Sequence, residues 1–370
     1  MQPSDNHRVI ISGGGTGGHI FPAIAIAKAL QKAEPGIELL FVGAEGKMEM
    51  EKVPAAGFRI EGLNISGIKR ELSFHNLKWP FKLMSSLLQA GRIINQFKPQ
   101  AAVGVGGYAS GPLLYIATAR KIPSLIQEQN SYPGITNKLL AKRVQKICVA
   151  YDKMNRFFPA NKIIKTGNPV RSDILNTQGK KAEAADHFNL DINKTTILVV
   201  GGSQGARTIN ECINSNITKF QESGMQLIWQ TGKLYHAKAV DAVTHLNYPG
   251  IKVLDFISRM DLAYAMCDIV IARGGASTVS ELCIVAKPVV LVPLPTAAED
   301  HQTKNCMALV EKNAAIMVSD VEARAKLIDA VFKLSEDKLL QQQMITNIQS
   351  LAITDSAERI ASEVISMIKN

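Results

Sequence analysis

The residues best placed to do chemistry open the chain: Gly13-Gly14-Gly15-Thr16-Gly17-Gly18-His19. Glycines at this density let a phosphate approach bare backbone N–H groups, and a helix starting there adds its partial positive charge. The same residues fit the Gly-x-Gly-x-x-Gly pattern of dinucleotide folds, and a tight ligand-free turn is the alternative reading. His19 stands at the mouth of the loop, where a structural turn has no use for an imidazole. A second loop, Gly106-Gly107-Tyr108, and a polar cluster, Glu128-Gln129-Asn130, follow apolar runs. The opening pattern returns at Gly201-Gly202-Ser203-Gln204-Gly205-Ala206.

The most specific stretch is Ile271–Leu282. A strand ends at Arg273, Gly274-Gly275 turn the chain, and a helix begins with Ala276, Ser277, Thr278, Val279 and Ser280. Glu281 falls about two turns into that helix, where a carboxylate accepting two protons suits the hydroxyls of a ribose. A solvated helix charge is the plain alternative. Glu299-Asp300-His301-Gln302-Thr303-Lys304-Asn305 can read sugar hydroxyls, or can be a helix start capped by Asp300. Gly-x-x-x-x-Gly-Lys-Ser/Thr is missing, which argues against a kinase or ATPase of that class. There is no Asp-x-Asp and no His/Cys cluster at ligand spacing, so neither a metal nor another cofactor is indicated.

These residues need parallel strands and helices to hold them. Val9–Ser12 before the first loop and the Ala-rich run to Leu30 after it read as strand and helix. Ile37–Gly43, Ala101–Val105, Ser124–Gln127, Lys146–Ala150, Thr196–Val200, Gln226–Gln230, Ile251–Leu254, Ile269–Ala272 and Val289–Pro293 read as further strands, residues 57–67 as a loop or edge strand. Polar residues at the ends of such strands lie where open α/β sheets keep ligands. Leu72–Phe97 mixes Leu, Phe, Trp and Met with Lys78, Lys82 and Arg92 around Pro80; it fits either an amphipathic core helix or a membrane-touching surface. Ala357–Lys369 has helical apolar spacing and predicts a closing helix.

The 370 residues suffice for two domains. We place their boundary in Gly167-Asn168-Pro169-Val170-Arg171: residues 1–167, then 168–350, with 351–370 as the closing helix. The charge supports the split, being net +12 up to Gly167 and −2 beyond it. A basic half suggests an anionic surface or substrate, while no nucleic-acid signature accompanies it. The N-terminus shows no signal peptide, and the uncharged run Ala101–Ala119 is too broken by glycine and proline to be a span. Five cysteines without Cys-x-x-Cys fit reduced core thiols of a cytoplasmic protein.

Gly-Gly-Thr-Gly-Gly-His at 14–19, Gly-Gly-Tyr at 106–108, Glu-Gln-Asn at 128–130, Gly-Asn-Pro-Val-Arg at 167–171, Gly-Gly-Ser-Gln-Gly-Ala at 201–206 and Gly-Ala-x-Thr-Val-Ser-Glu at 275–281 occur in this order. Together they resemble the MurG family of membrane-associated N-acetylglucosaminyltransferases, glycosyltransferase family 28. The resemblance implies a GT-B fold, two Rossmann-like doubly wound α/β domains facing across a cleft. It implies UDP-N-acetylglucosamine as donor, held mainly by the C-terminal domain. The acceptor would be undecaprenyl-pyrophosphoryl-N-acetylmuramoyl-pentapeptide (lipid I), met by the basic N-terminal domain at the cytoplasmic face of the bacterial inner membrane. The contact with the anionic membrane would be peripheral, and proteins of cell-wall synthesis and division are possible partners.

Carried over by resemblance, Thr16, Gly17, Gly18 and Asn130 approach the donor sugar and acceptor. Arg171 and Ser203 meet the diphosphate; Ile257 with Ala276, Ser277, Thr278, Val279, Ser280 and Glu281 holds uracil and ribose; Gln302 touches the N-acetylglucosamine. The implied reaction is an inverting displacement giving lipid II for the cell wall, with helix N-termini and Arg171 in place of a metal. His19 is the first candidate for the base, since a helix N-terminus favours the neutral ring. Glu128 is the reserve, as base or as an orienting partner. Two other classes compete: a UDP-sugar 2-epimerase, which needs several carboxylates around the sugar, and a nicotinamide oxidoreductase, which needs one glycine loop.

Overall fold

A computed structural model describes residues 6–65, 79–202 and 204–369. Ser203 and the basic and apolar residues of 66–78 lie outside the described residues. The chain forms two compact units, Met1–Arg171 with Thr354–Asn370, and Ser172–Ile353.

Short apolar runs buried on both faces make parallel strands. In the first unit these are β1 (Arg8–Ser12), β2 (Glu38–Ala44), β3 (Arg59–Leu63), β4 (Ala101–Gly104), β5 (Ser124–Glu128), β6 (Lys146–Val149) and β7 (Ile163–Lys165). They lie in the order β3-β2-β1-β4-β5-β6-β7. The second unit has β8 (Thr196–Val200), β9 (Gln226–Gln230), β10 (Ile251–Leu254), β11 (Ile269–Ala272), β12 (Val289–Leu291) and β13 (Ile316–Met317), ordered β10-β9-β8-β11-β12-β13. Every pairing is parallel. All strand C-termini of a sheet therefore share one edge. The order reverses between β1 and β4 and between β8 and β11, which opens a ligand crevice at each point.

Alternate residues of one strand serve opposite layers. Val9 and Ile11 join the core under the helices Gly17–Ala33 and Ser356–Lys369. Ile10 joins the core under Trp79–Phe97, Ser110–Ala119 and Ile135–Leu140. Segment 57–67 contains the edge strand β3, paired only with β2 among the described residues. Pro80 is the second residue of its helix, where its missing N–H costs no hydrogen bond.

The closing helix belongs to the first unit, with Ile360, Val364 and Met367 packed in the same core as Ile20, Ala23 and Ala27. Lys146 secures it, donating to Ser366 at 2.7 Å and pairing with Glu363. The chain thus leaves the first unit after Arg171, rather than at Gly167, and returns to it at Thr354.

Candidate active site

At the β1/β4 crevice, Gly15 adopts φ +85°, and the chain passes through an extended Thr16 into the helix Gly17–Ala33. Thr16 makes no side-chain cap bond to that helix; His19 N and Ile20 N donate to Thr16 O at 3.1 and 3.2 Å, and the N–H groups of Gly17 and Gly18 at the very start suit a ligand. Thr16 is exposed; Gly17, Gly18 and His19 are half-buried. His19 Nδ1 lies 3.0 Å from Gly14 O and 3.3 Å from Thr16 Oγ1. The loop after β4 closes over the ring: a Cβ on Gly106, at φ +96°, would fall 2.7 Å from His19 Cδ2. Gly14 N donates to Gly106 O at 3.3 Å. Ser110 fixes both loops by its hydroxyl, 2.9 Å from Ser12 O and 2.8 Å from Gly106 O.

Glu128 ends β5 and is buried. Its carboxylate accepts from Asn130 N (3.0 Å), Asn130 Nδ2 (3.2 Å), Gly134 N (3.2 Å) and Asn137 Nδ2 (2.8 Å). Burial pushes its carboxyl above the ordinary range, and those donors oppose the rise. Asn130, half-buried, is thereby oriented by the carboxylate beside it. Asn168 of the Gly-Asn-Pro segment is also buried, accepting from Gln127 Nε2 at 2.9 Å and donating to Gln129 O at 3.0 Å. Arg171, half-buried, is the last residue of this unit before the chain passes into the second one.

The second unit repeats the device. Gly205 (φ +77°) crosses Thr231 so closely that a Cβ would fall 2.0 Å from its carbonyl oxygen. Gln230, at the end of β9, donates to Gly202 O at 2.9 Å and accepts from Ile257 N at 3.1 Å, tying the glycine loop to the buried Ile257. Beyond β11, Gly275 is extended and leads into the helix Ala276–Val285, again without a side-chain cap. Ala276 and Val279 are buried in its packing; Ser277, Thr278, Ser280 and Glu281 are half-buried. Ser277 Oγ is buried and has no hydrogen-bond partner among the described residues. Ser280 turns back to Ala276 O at 3.0 Å. Glu281 Oε2 accepts from the buried Tyr264 hydroxyl at 3.0 Å.

Arg273 binds the carbonyls of Val292 and Pro293 and pairs with Asp320, holding the ends of β11 and β12 together. The helix His301–Val310 packs on this turn, where a Cβ on Gly274 would fall 2.6 Å from Gln302 O. Gln302 Oε1 accepts from Leu294 N at 2.9 Å. Asp300 stands at the helix start in the left-handed region and makes no cap bond to the backbone; its carboxylate accepts from Thr303 Oγ1 at 2.6 Å.

Sequence spacing brought each glycine loop to its helix but missed Glu49, Asn137, Gln230 and Tyr264. All four reach their partners by topology and stand outside any local motif. A faint signal exists for Glu49 alone: it is one of few acids in a basic half.

Fold and sites define a nucleotide-binding α/β protein with a glycine loop at each crevice. The glycosyltransferase family 28 N-terminal domain matches residues 9–149, and the C-terminal domain of that family matches 196–360. A Parabacteroides distasonis protein named UDP-N-acetylglucosamine--N-acetylmuramyl-(pentapeptide) pyrophosphoryl-undecaprenol N-acetylglucosamine transferase is 54% identical over 365 residues, 98% of each chain. The crystal structure of Acinetobacter baumannii MurG aligns with a TM-score of 0.77 at 27% identity, over 98% of this chain and 99% of that one. The chain belongs to glycosyltransferase family 28 and has the GT-B fold of two Rossmann-like units. A Neisseria meningitidis UDP-GlcNAc 2-epimerase shares that fold, with a TM-score of 0.69 at 15% identity over 98% of this chain and all of that one. Fold alone does not separate transfer from epimerisation; the full-length identity to a named transferase does.

Proposed function

We propose that this chain moves N-acetylglucosamine from UDP-N-acetylglucosamine to the 4-hydroxyl of undecaprenyl-pyrophosphoryl-N-acetylmuramoyl-pentapeptide, with inversion, forming lipid II for peptidoglycan. The observation that carries this reading is the 54% identity along 98% of the chain to a transferase named for those substrates. The glycine loops, the helix starts and the Tyr264–Glu281 pair support the roles of the described residues within it. In the second unit, Ile257 and the helix start Ala276–Glu281 hold uracil and ribose, with Tyr264 aiming Glu281. Ser203 and Arg171 neutralise the diphosphate, and Gln302 meets the sugar. In the first unit, Thr16, Gly17, Gly18 and Asn130 receive the acceptor and the transferred sugar.

As the acceptor oxygen attacks C1, its proton passes to His19 Nε2 and the C1–O bond to the diphosphate breaks, its electron pair leaving with UDP. Uncapped helix N-termini suit charge building on that leaving group. We assign Glu128 to ordering the 128–134 turn rather than to proton transfer, because its oxygens already take four donors in a buried setting. The enzyme works as a peripheral protein at the cytoplasmic face of the inner membrane, its first unit toward the lipid. No helix of the described residues is long and apolar enough to cross a membrane.

The test is turnover with labelled UDP-N-acetylglucosamine and a lipid I analogue. Label should enter the lipid with UDP released in equal amount, and no UDP should appear without acceptor. Acceptor-independent UDP release with a changed free sugar would mark an epimerase and overturn the reading.

A further inference from the structure

Glu49 begins the helix Glu49–Ala55 just after β2, and it is fully buried. Its Oε1 accepts from Ala44 N at 3.0 Å and its Oε2 from Gly15 N at 2.9 Å. The chain makes room for this one carboxylate at two positions: a Cβ on Gly14 would fall 2.2 Å from Oε1, and one on Gly43 2.5 Å from Cγ. The peptide group joining Gly14 to Gly15 therefore gives its N–H to Glu49, while its carbonyl oxygen lies 3.0 Å from His19 Nδ1. A carbonyl oxygen only accepts, so this bond requires the proton on Nδ1 and leaves the ring's lone pair on Nε2.

We propose that Glu49 is a positioning residue for His19, acting through the Gly14–Gly15 peptide as a carboxylate–peptide–imidazole relay. The proposal rests on reading His19 as the base. A carboxylate on the N–H side of a peptide strengthens the acceptor at its C=O end, since hydrogen bonds in series polarise one another. The relay does what a third group does for other catalytic imidazoles: it selects the tautomer, fixes the ring plane and stabilises the cation that forms when Nε2 takes a proton. The loop of Gly106, pressed against Cδ2 and Nε2, keeps the ring from turning away. A carboxylate that merely plugged the loop would have no reason to share a peptide group with the imidazole.

The test uses the whole chain with 15N-labelled histidine. Long-range proton–nitrogen correlations should assign the neutral His19 ring as the Nδ1–H tautomer. In Glu49→Gln the amide nitrogen must face one of the two backbone N–H groups, so the ring should lose its single tautomer. Turnover should then fall at least about 10-fold, the least that loss of an outer partner typically costs a metal-bound imidazole, with the KM for UDP-N-acetylglucosamine unchanged. Wild-type His19 protonated on Nε2 overturns the relay whether or not any variant folds. Glu49→Gln with undiminished turnover, or with the wild-type tautomer, also overturns it. His19→Ala separates the two ideas: retained turnover removes the base assignment, while a Glu49-dependent tautomer would still uphold the coupling.

Discussion

Glu281 illustrates what one side chain gains from its neighbours. Tyr264 donates to one of its oxygens at 3.0 Å and so fixes the carboxylate that takes two ribose hydroxyls in the proposed donor site. Glu281→Ala should cost about 1.5–3 kcal/mol in UDP affinity, the worth of hydrogen bonds to a charged group. It should cost much less for 2′,3′-dideoxy-UDP, because one partner is already gone and the two losses are not additive. Equal losses for both nucleotides by calorimetry would make Glu281 an ordinary helix charge. Tyr264→Phe, which keeps the ring in its core, should weaken UDP binding by about 1 kcal/mol, because it loosens the carboxylate without removing it. Arg171→Ala should lower affinity for UDP-N-acetylglucosamine by about 1.5–3 kcal/mol but leave uridine affinity alone, since uridine lacks the diphosphate. A matching loss for uridine would place Arg171 in the fold rather than on the phosphates.

Helix placement rests on equally specific pairs. The helices Lys181–Phe188 and Met260–Met266 are joined through the buried Asp261, which takes Lys180 Nζ at 2.9 Å and Arg259 at 2.9 Å through both Nε and Nη2. Arg259 reaches on to Glu183 at 3.0 Å. Arg259 above all, with Lys180, holds the Asp261 carboxyl well below the usual carboxylate range against its burial. A depressed folded-state value stabilises the protein above the unfolded value of 3.8, and this contribution is lost as pH falls toward the folded one. Asp261→Asn should therefore destabilise the chain at pH 7 by about 1–3 kcal/mol, moderated by the exposure of Arg259. The gap from wild type should narrow as pH drops below 3.8 in denaturant titrations; a constant gap would assign the loss to packing. Most strands, the glycine turns and the helices after them were legible in the sequence, since apolar runs and glycine positions are local signals; β13, only Ile316–Met317, is too short to give such a signal. The partners that finish the sites were not. Glu49 meets Gly15 only once β2 has paired with β1, and Tyr264 meets Glu281 only once the helices before and after β11 pack together.

At the scale of the molecule, the excess positive charge and a stripe of exposed apolar side chains on adjoining helices fall in the same unit. The chain carries +12 up to Gly167 and −2 after it. Within the first unit, the helix Trp79–Phe97 has a core face and an outward one: Ala90, Ile93 and Ile94 are buried in the core, while Phe81, Met84 and Leu88 form an outward stripe, 79%, 61% and 70% exposed. The helix Ser110–Ala119 packs beside it, and Ile135–Leu140 beside that, adding exposed Tyr115, Ile135 and Leu139. Lys82, Arg92, Lys138, Lys142 and Arg143 stand on or next to these helices. Apolar side chains among basic ones are what peripheral proteins press into anionic leaflets, each basic residue near the surface adding about 1 kcal/mol. Phe81→Ser with Leu88→Ser should thus lower co-sedimentation with vesicles of acidic phospholipid while UDP affinity, a property assigned to the other unit, stays unchanged. Lys82→Glu with Arg92→Glu should weaken sedimentation in low salt, and high salt should mimic that variant because screening removes the same attraction. The serine variant should keep its residual, salt-sensitive binding, so the two variants separate insertion from charge. Vesicle binding equal to wild type in both would leave the stripe an exposed surface with no lipid role.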